Sequence, residues 1–225
     1  MAKPITVWLT PSGPNPWKVI TILIELEIPY EIHSFKFDDV KKPPFININP
    51  NGRAPAIMDP NTDLTLWESG AIIQYLEDVY DKENKLNYTS PKEKHVLNQW
   101  LHFQMSGQGP YFGQASWFNI LHPEKLPSAI KRYTNEVHRI LGVLNTALEN
   151  RTWLVGDKCT FADLAFLPWN EHVGKILMTP EGEDPLDPYP NVQALMDEQG
   201  LMPNGMPKGV NNMKEYEEFI ARQGA

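Results

Sequence analysis

The sequence contains a single cysteine, Cys159, which excludes an intrachain disulfide and a cysteine-rich metal site. Its six histidines show neither the HExxH pattern nor another paired-ligand spacing, so we predict no metal site. There is no phosphate-binding glycine loop and no GxSxG motif of the serine hydrolases. No apolar run reaches the roughly 18 residues of a membrane span, and the first residues lack the apolar core of a signal peptide. We therefore expect a cytoplasmic protein.

Acidic residues outnumber basic ones, with 28 Asp and Glu against 20 Lys and Arg, giving a formal net charge of -8. This excess argues against a general nucleic-acid binder and against a protein of anionic membrane surfaces. It still permits a small anionic ligand, because a local arginine or lysine can oppose the average charge. The hydrophobic content of 41% and the length of 225 residues suit a globular protein with one large or two small domains.

The first eighty residues alternate between strand and helix patterns. Residues 10–16 contain three prolines and are predicted to be a loop that no helix crosses, with helical spacing from Trp17 onward. A further helix is predicted to begin at Ser69. Apolar or alternating runs predict four strands, at residues 5–9, 30–37, 56–58 and 64–67. The order is βαβ followed by ββα, and the βαβ unit implies a parallel strand pair with a right-handed crossover.

The rest of the chain is predicted to be helical. A polar linker at residues 84–91 separates an α/β domain, residues 1–83, from an all-α domain, residues 92–225. Ser90 to Glu93 matches a capping box with proline at the first helical position, and Thr160 to Asp163 is a second helix start. Helical segments are predicted at residues 96–107, 127–150 and 162–178. The tail over residues 181–209 is predicted to be irregular, and residues 213–222 a last short helix.

Two stretches of the α/β domain are suited to a small acidic ligand. The first is the Pro/Asn/Gly loop at residues 49–55, in which Arg53 supplies a positive charge and Pro55 precedes a strand, where a cis bond is inexpensive. The second is the helix start at Glu68 and Ser69, where backbone N–H groups unpaired within the helix attract anions. Together they offer backbone groups, an arginine and a helix N-terminus to one ligand.

These stretches resemble the glutathione-binding half of a cytosolic glutathione transferase, in which an x-Pro-Ala turn and a Glu-Ser helix start hold glutathione. The runs at residues 12–19 and 100–114 are similar to the fungal branch related to the yeast nitrogen-regulator prion protein and to the bacterial nu class. The resemblance covers nearly the whole chain. It implies a thioredoxin-like α/β domain followed by an all-α domain, glutathione as co-substrate, and a homodimer.

The resemblance also implies which residue acts on sulfur. A hydroxyl, thiol or amide after the first strand hydrogen-bonds the glutathione sulfur in this superfamily and favours the thiolate, which is the nucleophile. Asn15 takes this role, and Ser12 is a second candidate. Gly13 stands where the nu class often has a threonine. The alternative for Asn15 is an ordinary loop residue that caps a helix.

Further contacts to glutathione follow from the resemblance. Its cysteinyl part would pair with the backbone at Ala54 and Pro55, as a strand adds to a sheet edge. The remaining contacts would come from Lys42 and Arg53 to the glycine carboxylate, from Glu68 to the γ-glutamyl ammonium, from Ser69 to the γ-glutamyl carboxylate, and from Arg132. For Lys42, Arg53 and Arg132 the alternative is a surface charge. An apolar acceptor pocket would be lined by Trp17, Phe103, Tyr111 and Phe112, for which core packing is the alternative.

The resemblance implies a transfer reaction in which the glutathione thiolate is the nucleophile. The thiolate would attack a small hydrophobic electrophile, either in detoxification or on a reactive intermediate of fungal secondary metabolism. Alternatively, the thiolate would reduce a disulfide. The thiol belongs to the co-substrate, so Cys159 is expected to be structural. Two alternatives stay open: a binding or regulatory protein with little turnover, and a glutathione-dependent isomerase.

Overall fold

The computed structural model describes residues 2–11 and 13–198, which form two compact units, residues 2–87 and residues 88–198. The described part of the first unit contains one sheet in the order β2-β1-β3-β4. Strands β1 and β2 are parallel, whereas β1 with β3 and β3 with β4 are antiparallel. The strands are β1 Ile5–Leu9, β2 Tyr30–Ser34, β3 Ala56–Asp59 and β4 Leu64–Trp67. The predicted βαβ and ββα order is thus confirmed.

The helices of this unit are α1 Pro14–Glu25, α2 Phe45–Ile48 and α3 Ser69–Tyr80. A 3₁₀ turn lies at Phe37–Asp39. Helix α2 and the 3₁₀ turn were not predicted, because elements of three or four residues are too short to show a helical period. The core of the unit consists of aliphatic side chains that are at most 1% exposed: Ile5, Val7, Leu9, Val19, Ile22, Leu23, Ile57, Ile72, Ile73 and Leu76.

Helix α1 begins earlier than the sequence predicted. It starts at Pro14 with Gly13 as its N-cap, so the prediction of a loop through residue 16 was wrong. The first N–H groups of a helix have no partner within that helix, so proline costs no hydrogen bond there. Pro14 and Pro16 both fall in this first turn. Their fixed φ angles therefore favour the helix start instead of preventing it.

The second unit is helical throughout its described residues. Its helices are α4 Pro91–Phe103, α5 Gly109–Ser116, α6 Pro127–Ala147, α7 Phe161–Asn170, α8 Val173–Leu177 and α9 Pro190–Glu198. Two π-helical segments, Gln104–Gln108 and Trp117–Leu121, adjoin α5. This confirms the all-α domain.

The first π-helical segment joins α4 to α5 just ahead of Pro110. Pro110 falls in the first turn of α5, where its missing N–H is tolerated. The segment is secured by a buried amide chain. Gln104 Nε2 donates to Gln108 Oε1 at 3.1 Å, and Gln108 Nε2 donates to Asn170 Oδ1 at 2.7 Å. A buried amide chain of this kind fixes local geometry, because any member left unpaired is costly.

The capping box that opens α7 is confirmed. The buried Asp163 carboxylate accepts from the Thr160 hydroxyl at 2.7 Å and the Thr160 N–H at 2.9 Å, and from the Leu154 N–H at 2.8 Å. Burial raises the pKa of Asp163, and these hydrogen bonds oppose that rise.

Replacing Asp163 by alanine leaves these three donors buried without their acceptor. We expect a loss of about 2–4 kcal/mol in the free energy of unfolding, measured by urea denaturation. Asp187→Ala is the control, since the Asp187 side chain is exposed. Equal stability of the two variants would contradict a structural role for the box.

Helix α9 corrects the prediction of an irregular tail. Residues 190–198 are helical, with Val192, Leu195 and Met196 buried at helical spacing. Pro190 suits the first turn, and Asn191 Nδ2 donates to the Asn145 carbonyl on α6 at 2.8 Å. Residues 199–209 and the predicted helix at 213–222 lie outside the described residues.

Candidate functional site

Three stretches of the first unit meet at one edge of its sheet. Trp8 of β1 is paired with Ala56 of β3, and Ala56 is paired in turn with Trp67 of β4. Because β1 and β4 end where β3 begins, the residues after Leu9, before Ala56 and after Trp67 leave the sheet at the same edge. The topology therefore brings together the start of α1, the Ala54–Pro55 turn and the start of α3.

The first of these stretches carries Asn15 and Trp17. Asn15 is half-buried at the second position of α1, and Gly13 is the N-cap, so Asn15 is not the capping residue. Trp17 is buried, with 8% of its surface exposed. Ser12, the second candidate for the sulfur contact, lies outside the described residues.

The second stretch is the turn ahead of β3. The Ala54–Pro55 peptide bond is cis, the isomer that the sequence analysis named as inexpensive at this position. Ala54 is half-buried, and among the described residues neither its N–H nor its C=O has a hydrogen-bond partner. This unpaired backbone is a short edge that an extended peptide can join.

The loop that bears Arg53 is tied to the start of α3. Asn49 Nδ2 donates to the Arg53 carbonyl at 2.5 Å, and Asn49 Oδ1 accepts from the Asn51 N–H at 2.9 Å. Asn51 Nδ2 in turn donates to Glu68 Oε1 at 3.3 Å. Gly52 has a φ of 61°, a left-handed conformation that favours glycine. These contacts hold Arg53 and Glu68 in neighbouring segments.

Glu68 and Ser69 form the third stretch. Glu68 is the N-cap of α3 and has a φ of 72° and a ψ of 111°, a strained conformation for a residue with a side chain. Its side chain is exposed, whereas Ser69, the first helical residue, is buried. Strain of this kind persists where the surrounding structure enforces it, and it concentrates at binding sites.

The structure adds Lys18 to this edge, a residue that the sequence analysis missed. Lys18 lies on α1, one turn after Asn15, and is only 1% exposed. Burial lowers the pKa of Lys18 to about 7, and the negative charge of Glu68 opposes that shift. The available signal was a lysine placed within an otherwise apolar helical run, between Trp17 and Val19.

The two candidate cations for the glycine carboxylate of glutathione, Lys42 and Arg53, differ in whether an acidic side chain already pairs with them. Lys42 forms an exposed ion pair with Asp39 at 2.8 Å. The hydrogen bond to Asp39 raises the pKa of Lys42 and lowers that of Asp39. Arg53 is exposed and has no ion-pair partner within the part of the chain that the structure describes.

The other candidates belong to the helical unit. Phe103 on α4 and Tyr111 on α5 are half-buried, and Arg132 on α6 is exposed. Phe112 has no exposed surface, and its ring packs edge-on against Trp169 with centroids 6.2 Å apart. Phe112 thus has the core-packing role that the sequence analysis gave as its alternative, and we do not propose it for an acceptor pocket.

Over residues 2–11 and 13–198, no group of three or more His, Cys, Asp or Glu side chains is arranged to hold a metal ion. None of the helices in these ranges is long and apolar enough to span a membrane.

Comparison with known proteins identifies the family. Residues 3–78 match the N-terminal domain of glutathione S-transferases, and residues 109–199 match the C-terminal domain. The chain is 47% identical to the glutathione S-transferase-like protein tpcF of Aspergillus fumigatus over 217 residues, which cover 92% of this chain and 95% of that protein. The chain therefore belongs to the glutathione S-transferase family, as the sequence resemblance predicted.

Solved structures give the same result. The glutathione transferase URE2P6 of Phanerochaete chrysosporium, crystallised with oxidized glutathione, is 44% identical with a TM-score of 0.84, covering 98% of both chains. Ure2p5 of the same fungus, cocrystallised with 1-(S-glutathionyl)-2,4-dinitrobenzene, is 36% identical with a TM-score of 0.81, covering 99% of this chain and 98% of that one. The fungal branch named in the sequence analysis is thereby confirmed.

Proposed function

We propose that this protein binds glutathione at the sheet edge described above and uses its thiolate as a nucleophile. The observation that carries the proposal is the meeting of the unpaired Ala54 backbone, the Glu68–Ser69 helix start and Asn15 at one edge of the sheet. The oxidized glutathione bound to URE2P6 supports the choice of ligand.

Each group at this edge suits one part of glutathione. Glu68 accepts from the γ-glutamyl ammonium, and the α3 N-terminus at Ser69 receives the γ-glutamyl carboxylate. The cysteinyl part pairs with Ala54 N–H and C=O ahead of Pro55. Arg53 neutralises the glycine carboxylate, with Lys42 as a weaker second cation because Asp39 already pairs with it.

The sulfur is proposed to lie at the N-terminus of α1. The partial positive charge of a helix N-terminus and the amide N–H groups of Asn15 both stabilise a thiolate over a thiol. Trp17 lies on the same helix and is buried. Since the reactive sulfur arrives with glutathione, the chemistry needs no cysteine from the protein. Cys159 belongs to the helical unit, where its thiol donates to the Thr160 carbonyl.

The bound glutathione thiolate can attack two classes of second substrate. With an electrophile such as an aryl halide, a carbon–sulfur bond forms and the halide leaves. With a disulfide, a new sulfur–sulfur bond forms and the displaced thiolate leaves. The aryl conjugate bound to Ure2p5 supports the first class, and the oxidized glutathione bound to URE2P6 supports the second. Phe103, Tyr111 and Arg132 are the residues of the helical unit that we propose for the acceptor and for a further glutathione contact.

The test combines binding with turnover. We expect retention on immobilised glutathione, and turnover of 1-chloro-2,4-dinitrobenzene or of hydroxyethyl disulfide that depends on glutathione. Binding without turnover of any electrophile or disulfide would favour a regulatory protein. Absence of both would overturn the proposal.

We further propose that the protein acts as a homodimer in the cytoplasm, the arrangement that the family resemblance implies. Light scattering after size-exclusion chromatography is expected to give twice the chain mass of 25.7 kDa. A monomeric mass at micromolar concentration would contradict this.

A further inference from the structure

Asn49 is a buried polar residue of the loop that carries Arg53 and Ala54, and the proposed chemistry gives it no role. It follows α2 directly, and only 1% of its surface is exposed. Asn49 Oδ1 accepts from the Asn51 N–H at 2.9 Å, and Asn49 Nδ2 donates to the Arg53 carbonyl at 2.5 Å. The side-chain amide therefore ties together backbone groups two and four residues further along the chain. Such an amide is costly to remove, because its partners lose a hydrogen bond that the fold had supplied.

These two partners fix the orientation of the Asn49 amide. One is an N–H donor and the other a C=O acceptor, so a flipped amide would place its nitrogen against the N–H and its oxygen against the carbonyl. The turn between them is closed by the Gly52 N–H, which donates to the Asn49 carbonyl at 2.9 Å. A Cβ at Gly52 would lie 3.1 Å from the Val40 carbonyl oxygen, so the loop also packs closely against that backbone. The Arg53 carbonyl is thus held in one direction.

That direction decides where the Ala54 N–H points. The Arg53 carbonyl and the Ala54 N–H belong to one peptide unit, which is planar and trans. In a trans peptide unit the C=O and the N–H point in opposite directions. Because Asn49 holds the carbonyl, the Ala54 N–H is turned away from Asn49, and it has no hydrogen-bond partner in the described part of the chain. It is left available to a ligand.

Asn51 extends the same restraint to the start of α3. Its N–H is the group that Asn49 holds, and its side-chain Nδ2 donates to Glu68 Oε1 at 3.3 Å. The side chains of Asn51 and Glu68 are both exposed, so this hydrogen bond restrains a carboxylate that otherwise rotates in solvent. Asn49 is in this way connected to two groups of the proposed site, the Ala54 N–H and the Glu68 carboxylate.

We infer that Asn49 and Asn51 are positioning residues for glutathione: Asn49 aims the Ala54 N–H at the cysteinyl part, and Asn51 holds Glu68 for the γ-glutamyl ammonium. This inference rests on the proposed function, because it takes the binding roles of Ala54 and Glu68 from there. The physical benefit is preorganisation, since groups that are restrained before the ligand arrives lose less freedom when it binds. Neither asparagine is assigned a contact with the sulfur or with the second substrate, so their effect falls on glutathione affinity.

The test of Asn51 is a double-mutant cycle with Asn51→Ala and Glu68→Ala, assayed with 1-chloro-2,4-dinitrobenzene and varied glutathione. We expect N51A to lower kcat/KM for glutathione about fivefold through KM, with kcat changed by less than about twofold. In the E68A background, which lacks the acceptor, N51A is expected to change kcat/KM by less than about twofold. Asn47→Ala removes an exposed asparagine from the same unit and is the matched control.

An isosteric variant gives a readout that a general structural effect would not produce. Asn51→Asp keeps the size of the side chain, lacks the donor and places a second carboxylate beside Glu68. We expect the KM for glutathione to rise about tenfold at low salt, and to recover at least about twofold relative to the wild type in about 0.5 M NaCl, because salt screens exposed charges. Asn47→Asp controls for the added charge and is expected to change KM by less than about twofold.

Asn49→Ala tests the connection to Ala54. We expect a loss of about 20-fold in kcat/KM for glutathione, of which about fourfold remains in the E68A background, because the Ala54 N–H is released as well. Circular dichroism checks the fold of each variant. Since Asn51 is exposed, its variants decide the inference even if N49A does not fold.

Three results would overturn the inference: an unchanged kcat/KM in N51A, a loss that is equal in the wild-type and E68A backgrounds, or a loss that lies in kcat instead of KM. A folded N49A with the kcat/KM of the wild type would overturn the role of Asn49. If the wild type itself shows no saturation with glutathione, the proposed function fails, and this inference fails with it. A wild type that saturates normally, with both asparagine variants equal to it, removes the inference alone.

Discussion

Replacing Asn15 by alanine is expected to lower kcat/KM for glutathione with an aryl halide by about 100-fold, mainly through kcat. Asn15 lies in the first turn of α1, and we propose that its amide donates to the glutathione thiolate. Removing that donor leaves the helix N-terminus as the remaining source of positive potential. The pKa of the bound thiol is therefore expected to rise, and less thiolate is present at neutral pH.

Two measurements check this prediction. Steady-state kinetics give kcat/KM, and thiolate absorbance followed against pH gives the pKa of bound glutathione. Asn47→Ala is the matched control, because Asn47 is an exposed asparagine in the same unit. If Asn15→Ala keeps full activity and an unchanged thiol pKa, the assignment of the sulfur contact is wrong and Ser12→Ala becomes the variant to examine.

The second large effect concerns the stability of the folded protein against pH. A lysine side chain ordinarily has a pKa of 10.5. In the folded protein, burial lowers the pKa of Lys18 to about 7, because it disfavours the charged ammonium form. Between these two values the unfolded chain holds a proton on Lys18 that the folded chain has released. Raising the pH in this window therefore favours the folded state, by about 1.4 kcal/mol per pH unit. Below the folded pKa both states are protonated, and the contribution is constant.

Urea unfolding of the wild type and of Lys18→Met isolates this term, since other groups titrate alike in both. From about pH 7.5 to about pH 9.5, the stability of the wild type relative to Lys18→Met is expected to rise by about 2.7 kcal/mol. Lys82→Met, which removes an exposed lysine from the same unit, serves as the control. A difference between wild type and Lys18→Met that stays constant over this range would show that the buried lysine keeps its proton, contrary to the expected shift.

Much of the first unit could be predicted from local patterns. Strand β4 and the start of α3 at Ser69 follow from short apolar runs next to turn residues, and the structure confirms them. The sequence showed that a cis bond before Pro55 would be inexpensive, because it is an X-Pro bond, but only the structure shows which isomer is present. The capping box at Thr160 and Asp163 was predicted, since its residues interact within one turn.

The predictions that were wrong concern helices whose formation depends on tertiary contacts. Prolines alone could mean a loop or the first turn of a helix, and the burial of Val19, Ile22 and Leu23 along α1 selects the helix. The helix α9 needs the burial of Val192, Leu195 and Met196, which a Pro- and Gly-rich composition conceals. The same holds for one residue at the site. Lys18 belongs to no motif, and only the folded structure shows that its side chain is buried.

The central claim is that the sheet edge holding Ala54, Glu68 and Ser69 binds glutathione. Isothermal titration calorimetry of the folded protein with reduced glutathione tests it most directly. We predict saturable binding with one site per chain, weakened about tenfold or more by Glu68→Gln, which removes a charge-assisted contact. Titrations at two temperatures that give no saturable heat, for reduced and for oxidized glutathione, would contradict the account.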